Sequence, residues 1–471
     1  MYKSKVINLY QSLSTDETKA LQKFIHSPIH NQHHDVTVLI DYLNGLKKIT
    51  PDNVDRKVIH RILFKKRVFQ ESNVRHVFSY LFKSIEEFIT YANSNPSELI
   101  KYKSLIKFYR EKGLNNLLDS TIRKFEKLEE IEKQNADYFL DKFQVLNEIT
   151  IANEQSTRYK ENDFAEQLGF LDKFYIAEKL KQSSNVLSQQ AIFGKEYEID
   201  FMDSILRYIE QRDLLSIPSI AIHYYNYYMV KDSEEEKYFY QFKEVLINNT
   251  DAFEADELRD LYILGVNYNL RKANKGDKIA PSKVFELYEL GLNNKALMPF
   301  GTLSHVTYRN IINTALYLKE NHWALNFIHE YKDFLEEDVK EDTYNFNLAH
   351  YYSKIEDYNA AQKILATVDL KDENYNAKAK VLQLKMYYET EEYEVLESLL
   401  DSFWIYLKRK KHLSYHRDLW FKLIRYTRSI IHTNPGDHKR LEKILSNIKE
   451  EQDLTEKKWL IAIVEQRLSK R

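Results

Sequence analysis

Along most of this chain apolar residues recur at intervals of three and four, the spacing that gathers them on one face of an α-helix. Leu21, Phe24 and Ile25 make the first such face. Ahead of it, Ser14-Thr15-Asp16-Glu17 reads as a capping box, with Ser14 the cap and Glu17 reaching back. Ser27-Pro28 stops that helix. Val36, Leu39, Ile40 and Leu43 mark a second helix. Val54, Val58, Ile62 and Leu63 mark a third, for which Thr50-Pro51 supplies a cap and a proline in the first turn. A fourth starts at Ser72 and carries Val77, Tyr80, Leu81, Ile85 and Phe88. Asn93-Ser94-Asn95-Pro96 breaks the pattern and reads as a linker, so residues 1–95 are expected to form a small N-terminal helical domain.

From 97 to 471 the pattern predicts helical hairpins. Residues 99–110 and 114–133 pair around Gly113, and 164–193 form a long helix weakened only at Gly169. Pro218, Pro281 and Pro299 mark later turns. No run alternates with period two for long enough to make a strand, so the expected fold class is all-α. A longer period lies over the helical one. Tyr317, Tyr352 and Tyr387 are 35 residues apart, and Trp323, Tyr358 and Tyr393 repeat that spacing six residues later. This is the length of one helix-turn-helix unit, which cannot bury its apolar face alone and therefore stacks. Tyr352 and Tyr358 should then be buried against a neighbouring hairpin.

The clearest unit, 342–370, holds Leu348-Ala349, Tyr352, Tyr358, Ala361 and Leu365. These gaps resemble the tetratricopeptide repeat. The next unit keeps Tyr387, Tyr393 and Leu400 but has Leu384 and Leu396 where small residues are expected. The preceding one keeps Tyr317 and Trp323 but has Thr314, Asn326 and Glu330, and Glu373 stands where the family's terminal proline would follow the good unit. The resemblance is clear over about 311–407, with the best units inside 308–407. The rest is similar to uncharacterised bacterial helical proteins with a Ser-Pro-x-x-Asn start, here Ser27-Pro28-Ile29-His30-Asn31, and that resemblance implies no activity.

The tetratricopeptide resemblance implies a right-handed α-solenoid whose first helices line a concave groove for a protein or peptide. Carried onto this chain, the groove positions are Thr343, Phe346, His350, Ser353 and Lys354, then Lys378, Val381, Lys385, Tyr388 and Glu389. Phe346, His350, Lys354, Lys385 and Tyr388 are the candidate partner contacts, with the two lysines holding acidic groups. No acid within these repeats is placed to neutralise them.

Composition narrows the function. Nine Gly and seven Pro in 471 residues fit long helices, and a net charge of −2 gives no global field for nucleic acid or a membrane. The absence of Cys excludes disulfides, thiolate nucleophiles and Cys-based zinc sites. The start of the chain leads into an amphipathic helix rather than a signal-peptide core, and no apolar run nears 18 residues, so a cytoplasmic protein is expected. No two glycines stand closer than Gly291 and Gly301, which excludes a P-loop or dinucleotide loop, and there is no G-x-S-x-G elbow. The expectation is a scaffold with no catalytic residues and no cofactor.

Two clusters remain. His26, His30, His33 and His34 precede Asp35, but a proline break scatters them, and no metal site is expected. Between 405 and 430, eight Lys or Arg face one acid, Asp418, with Tyr406, Tyr415, Trp420, Phe421 and Tyr426 interleaved. The 408–428 patch is the basis of the alternative, a nucleic-acid-binding or regulatory protein.

Overall fold

A computed structural model describes residues 1–2, 4–65, 68–93, 97–128, 133–155, 162–193, 196–232, 234–367, 373–410, 414–434 and 436–469. The chain is all-α. Among the described residues are 23 α-helices and no strand, only an isolated parallel bridge between Leu303 and Leu335. Contacts divide the chain into two compact units, residues 1–128 with 141–163, and residues 129–140 with 164–471.

In the first unit, α1 (Lys5–Gln11), α2 (Thr15–His26), α3 (His34–Asn44), α4 (Arg56–Phe64) and α5 (Glu71–Asn93) share one apolar core. Leu21, Leu39, Ile40, Leu81 and Ile85 are fully buried in it. The capping box of α2 forms, with the Ser14 N–H donating to Glu17 Oε2 at 2.7 Å. The third helix starts later than expected. Thr50 and Asn53 bond to each other across a turn that contains Pro51, and Asp55 caps α4 instead. The fourth starts at Glu71, and the linker residues 94–96 lie outside the described residues. Next come α6 (Glu98–Glu111) and α7 (Asn115–Glu126), a hairpin turned by Gly113 at φ 65°. Helix α8 (Ala136–Glu154) contains the division between the units.

The second unit continues with α9 (Phe164–Phe193), α10 (Met202–Gln211), α11 (Pro218–Lys231), α12 (Glu236–Asn248), α13 (Ala255–Asn274) and α14 (Ala280–Asn293). Three hairpins follow: α15 (His305–Tyr317) with α16 (Asn321–Glu330), α17 (Lys340–Lys354) with α18 (Tyr358–Thr367), and α19 (Glu373–Glu389) with α20 (Tyr393–Arg409). The chain closes with α21 (Ser414–Ile431), α22 (His438–Glu450) and α23 (Lys457–Ser469). From α11 onward every helix packs on the next, and α15, α17 and α19 also pack side by side. This serial packing is that of a helical solenoid. It also employs many of the tyrosines. Tyr262, Tyr268, Tyr288 and Tyr308 are fully buried, and the Tyr308 hydroxyl donates to the Ile328 carbonyl at 2.7 Å.

The three hairpins turn in the same way. Lys319, Glu356 and Glu391 are left-handed at φ 65°, 65° and 59°. The next N–H reaches back five residues in each case, from Glu320 to Ala315, Asp357 to Tyr352 and Glu392 to Tyr387, all at 2.9 Å. These are Schellman caps built without glycine. Glu356 lies 37 residues after Lys319, whereas Glu391 lies 35 after Glu356. Tyr352 and Tyr387 are therefore equivalent, but Tyr317 is displaced by two positions, and it stands 73% exposed. Tyr352 and Tyr358 are half-buried rather than buried, each packed against the apolar cluster around Ala361. Left-handed backbone costs a side chain roughly 1–2 kcal/mol, partly offset by the chain entropy glycine loses on folding. Glu356→Gly or Glu391→Gly is expected to raise stability by about 0.5–1 kcal/mol in urea unfolding, and a loss would contradict the cap.

Candidate functional site

Helical spacing sets Phe346, His350, Ser353 and Lys354 on one face of α17. It does the same for Lys378, Val381, Leu382, Lys385, Met386 and Glu389 on α19. Because these helices pack side by side, the two faces border one cleft of about 350 Å³. Tyr358 of α18, Trp420 of α21, and Thr455 and Glu456 before α23 complete its walls. Its apolar lining comes from Phe346, Val381, Leu382, Met386 and Trp420, and its cations are Lys354, Lys378 and Lys385. Four of the five candidate contacts, Phe346, His350, Lys354 and Lys385, line this cleft together.

The fifth does not. Tyr388 is buried where α23 covers α19, its hydroxyl accepting from Arg467 Nε at 3.2 Å and its ring set edge-on to Trp459 at 5.4 Å. Thr343 is also buried, with Oγ1 donating to the Tyr375 hydroxyl at 3.3 Å. Both sit on the expected helix faces, but later or neighbouring helices pack over them.

The lysines differ in a way that their common place on the expected groove face does not suggest. Lys385 is neutralised from outside the repeats, its Nζ 2.7 Å from Glu456 Oε2. Glu456 holds a left-handed backbone at φ 57°, a strained conformation for a side chain. Lys354 makes no ion pair among the described residues. Burial first, and then the charge of Lys385, depress its pKa, while Glu456 opposes them. His350 stands parallel to Phe346, centroids 6.3 Å apart, and makes no hydrogen bond among the described residues. Burial, reinforced by Lys354, Lys385 and Arg309, pushes its pKa down to about 3. At neutral pH the cleft thus presents a neutral imidazole, an unpaired ammonium and a strip of apolar side chains. Glu389, at its edge, accepts from Trp459 Nε1 at 2.8 Å. Nothing in the sequence tied Trp420, read there as part of the basic patch, or Glu456 to the cleft, which they reach from α21 and from the turn before α23, 30 and more residues on.

The histidines of the first cluster take separate partners, and several cations of the basic segment are paired. His26 Nε2 lies 2.7 Å from Asp41 Oδ1, His30 stacks on Phe24 at 4.0 Å, and His33 stacks on Tyr80 at 4.1 Å. Asn31 bonds the Ile25 and His33 carbonyls and so shapes the turn. In the basic segment, Lys410 pairs with Glu373 at 2.7 Å, Lys422 with Glu451 at 2.5 Å, and Arg428 with Asp401 at 2.6 Å. Its aromatics are also engaged. Trp420 is buried, Phe421 packs on Trp404 at 4.5 Å, and the Tyr426 hydroxyl donates to Glu451. Residues 411–413 lie outside the described residues.

Fold and cleft together define an all-helical, serially packed protein with a mixed apolar and cationic cleft between two repeated helices. No helix among the described residues is long and apolar enough to cross a membrane. The chain matches no protein family, no curated protein and no solved structure.

Proposed function

We propose that this protein is a non-enzymatic, cytoplasmic scaffold that holds an acidic segment of a partner protein in the cleft between α17 and α19. The reading takes the array to be tetratricopeptide-like and right-handed, with α15, α17 and α19 as its concave row. One observation carries it. Among the described residues Lys354 has no carboxylate partner, and it is half-surrounded by apolar surface and by a second lysine in a cleft bordered by two repeated helices. Desolvating an ammonium without a partner is costly, and an incoming carboxylate offsets that cost. The flanking apolar strip adds contact area for the segment's uncharged side chains.

Fluorescent blocked peptides, acidic or with every acid replaced by lysine, test this by anisotropy. The acidic series should bind and weaken as salt rises. Lys354→Glu should reduce affinity by about tenfold, roughly 1.4 kcal/mol. The substitution is exposed enough to leave the melting temperature nearly unchanged. Lys385→Glu is a poorer probe, since it would oppose Glu456 with a second carboxylate. Equal binding of the acidic and lysine peptides, or of the parent and Lys354→Glu, would place the binding face elsewhere.

A further inference from the structure

A second cleft of the same unit has the opposite sign. It encloses about 320 Å³ where the starts of α8, α11 and α13 meet the middle of α9. Six carboxylates line it: Asp137, Glu178, Glu254, Asp256, Glu257 and Asp260. Three cations answer them. Lys181 lies 3.5 Å from Glu257, Lys133 lies 3.2 Å from Glu254, and Arg259 lies 2.9 Å from both Asp256 and Asp260. Helix N-termini account for part of the excess, since Asp137, Asp256 and Glu257 stand in first turns. They do not account for Glu178 or Asp260.

Nor do they account for His223, which lines the cleft and is 5% exposed. Its Nε2 is 3.5 Å from Glu257 Oε1, and its Nδ1 is buried with no hydrogen-bond partner among the described residues. A carboxylate accepts only, so the tautomer that donates to Glu257 carries its proton on Nε2. That leaves Nδ1 a bare acceptor, and a buried acceptor without a donor costs about 1–3 kcal/mol. The missing group is therefore a donor, in a cleft that carries surplus negative charge.

We propose that this cleft takes an organic cation, an alkylammonium or guanidinium group whose N–H groups are received by the carboxylates and by His223. A bare metal ion fits less well. Among the described residues no trio of His, Asp or Glu is arranged to hold one, and the volume suits a side-chain-sized group. The group arrives on a free polyamine or on a lysine or arginine of a bound polypeptide, and both sources present the same chemistry.

Titration calorimetry on the full chain, with spermidine and with N-acetyl-arginine amide as probes, tests the proposal and separates the sources. At least one probe should bind at one site and lose about tenfold in affinity in Asp137→Asn/Glu178→Gln, whose positions are exposed or half-buried. His223→Phe, which keeps the ring and removes the acceptor, should weaken the same probe. Stronger spermidine binding assigns the cleft to a free polyamine, and stronger binding of the arginine amide assigns it to a polypeptide side chain. No binding of either probe, or full binding in the double variant, overturns the proposal.

Discussion

Gly291→Val should destabilise the second unit by about 3 kcal/mol, the largest single effect expected on this fold. Gly291 lies on the buried face of α14, directly against α13. A Cβ there would stand 2.8 Å from Leu297 Cγ and 3.2 Å from Tyr262 Cδ1. Neither neighbour can easily give way. Tyr262 is 1% exposed and fixed by Asn294, whose Nδ2 donates to its hydroxyl at 2.7 Å, and Leu297 is tied back by its N–H to the Gly291 carbonyl at 3.0 Å. Alanine alone forces a shift worth about 1–3 kcal/mol, and the branched methyls of valine add to it in a core packed like a crystal. Gly169 provides the contrast. It lies within α9 and nothing is within 4 Å of its would-be Cβ, so Gly169→Ala should stabilise by about 0.5–1 kcal/mol. Trp323 packs edge-on against Phe285 of α14 at 4.8 Å, so tryptophan emission during urea unfolding reads the first change. Opposite signs at the two glycines are the expected result, and a neutral Gly291→Val would refute the close approach of α13 to α14.

Why Gly291 matters could not be read in the sequence, where Gly169 looks the same. A glycine's meaning depends on what faces it across a helix pair, and that is set by residues far along the chain. The helices themselves were legible because their cause is local. The capping box at Ser14, the helix 164–193 and the apolar faces of α2 and α3 all follow from neighbouring residues. The 35-residue period was also legible, but it carried an error. Its register holds from Glu356 to Glu391 and slips by two at Lys319, so Tyr317 matched the spacing without matching the position. Only the turn geometry distinguishes the two cases.

The cleft was legible to the same extent. Phe346, His350, Lys354 and Lys385 converge because the helical period places each on its helix face and α17 lies beside α19. Tyr388 shares the period but is covered by Trp459 and Arg467 from α23, and Lys385 falls on the same expected groove face as Lys354 but meets Glu456. In both cases a residue some 70 or more positions later overrides the pattern. A repeat predicts its own face well. It predicts poorly what a later helix lays over that face.

His350 should make the repeats acid-labile. Its folded pKa lies near 3 against an ordinary value of 6.5, because burial and three nearby cations oppose a charged ring. For a base whose pKa is depressed on folding, the unfolded chain binds the extra proton between those two values. Stability is therefore constant above about pH 6.5 and falls as the pH drops toward 3. At pH 4.5 the difference spans two pKa units, and after allowance for water in the half-open cleft it amounts to about 2 kcal/mol. His350→Asn removes the titrating ring, so the variant should lose about 2 kcal/mol less than the parent between pH 7 and pH 4.5. All four tryptophans of the chain, Trp323, Trp404, Trp420 and Trp459, lie in the segment that surrounds this cleft or adjoins it. Their emission in urea at the two pH values therefore follows this part of the fold. An unchanged pH dependence in His350→Asn would show that the ring charges without penalty. The cleft would then be wetter and less cationic than its lysines make it, and the case for an acidic occupant beside Lys354 would weaken with it.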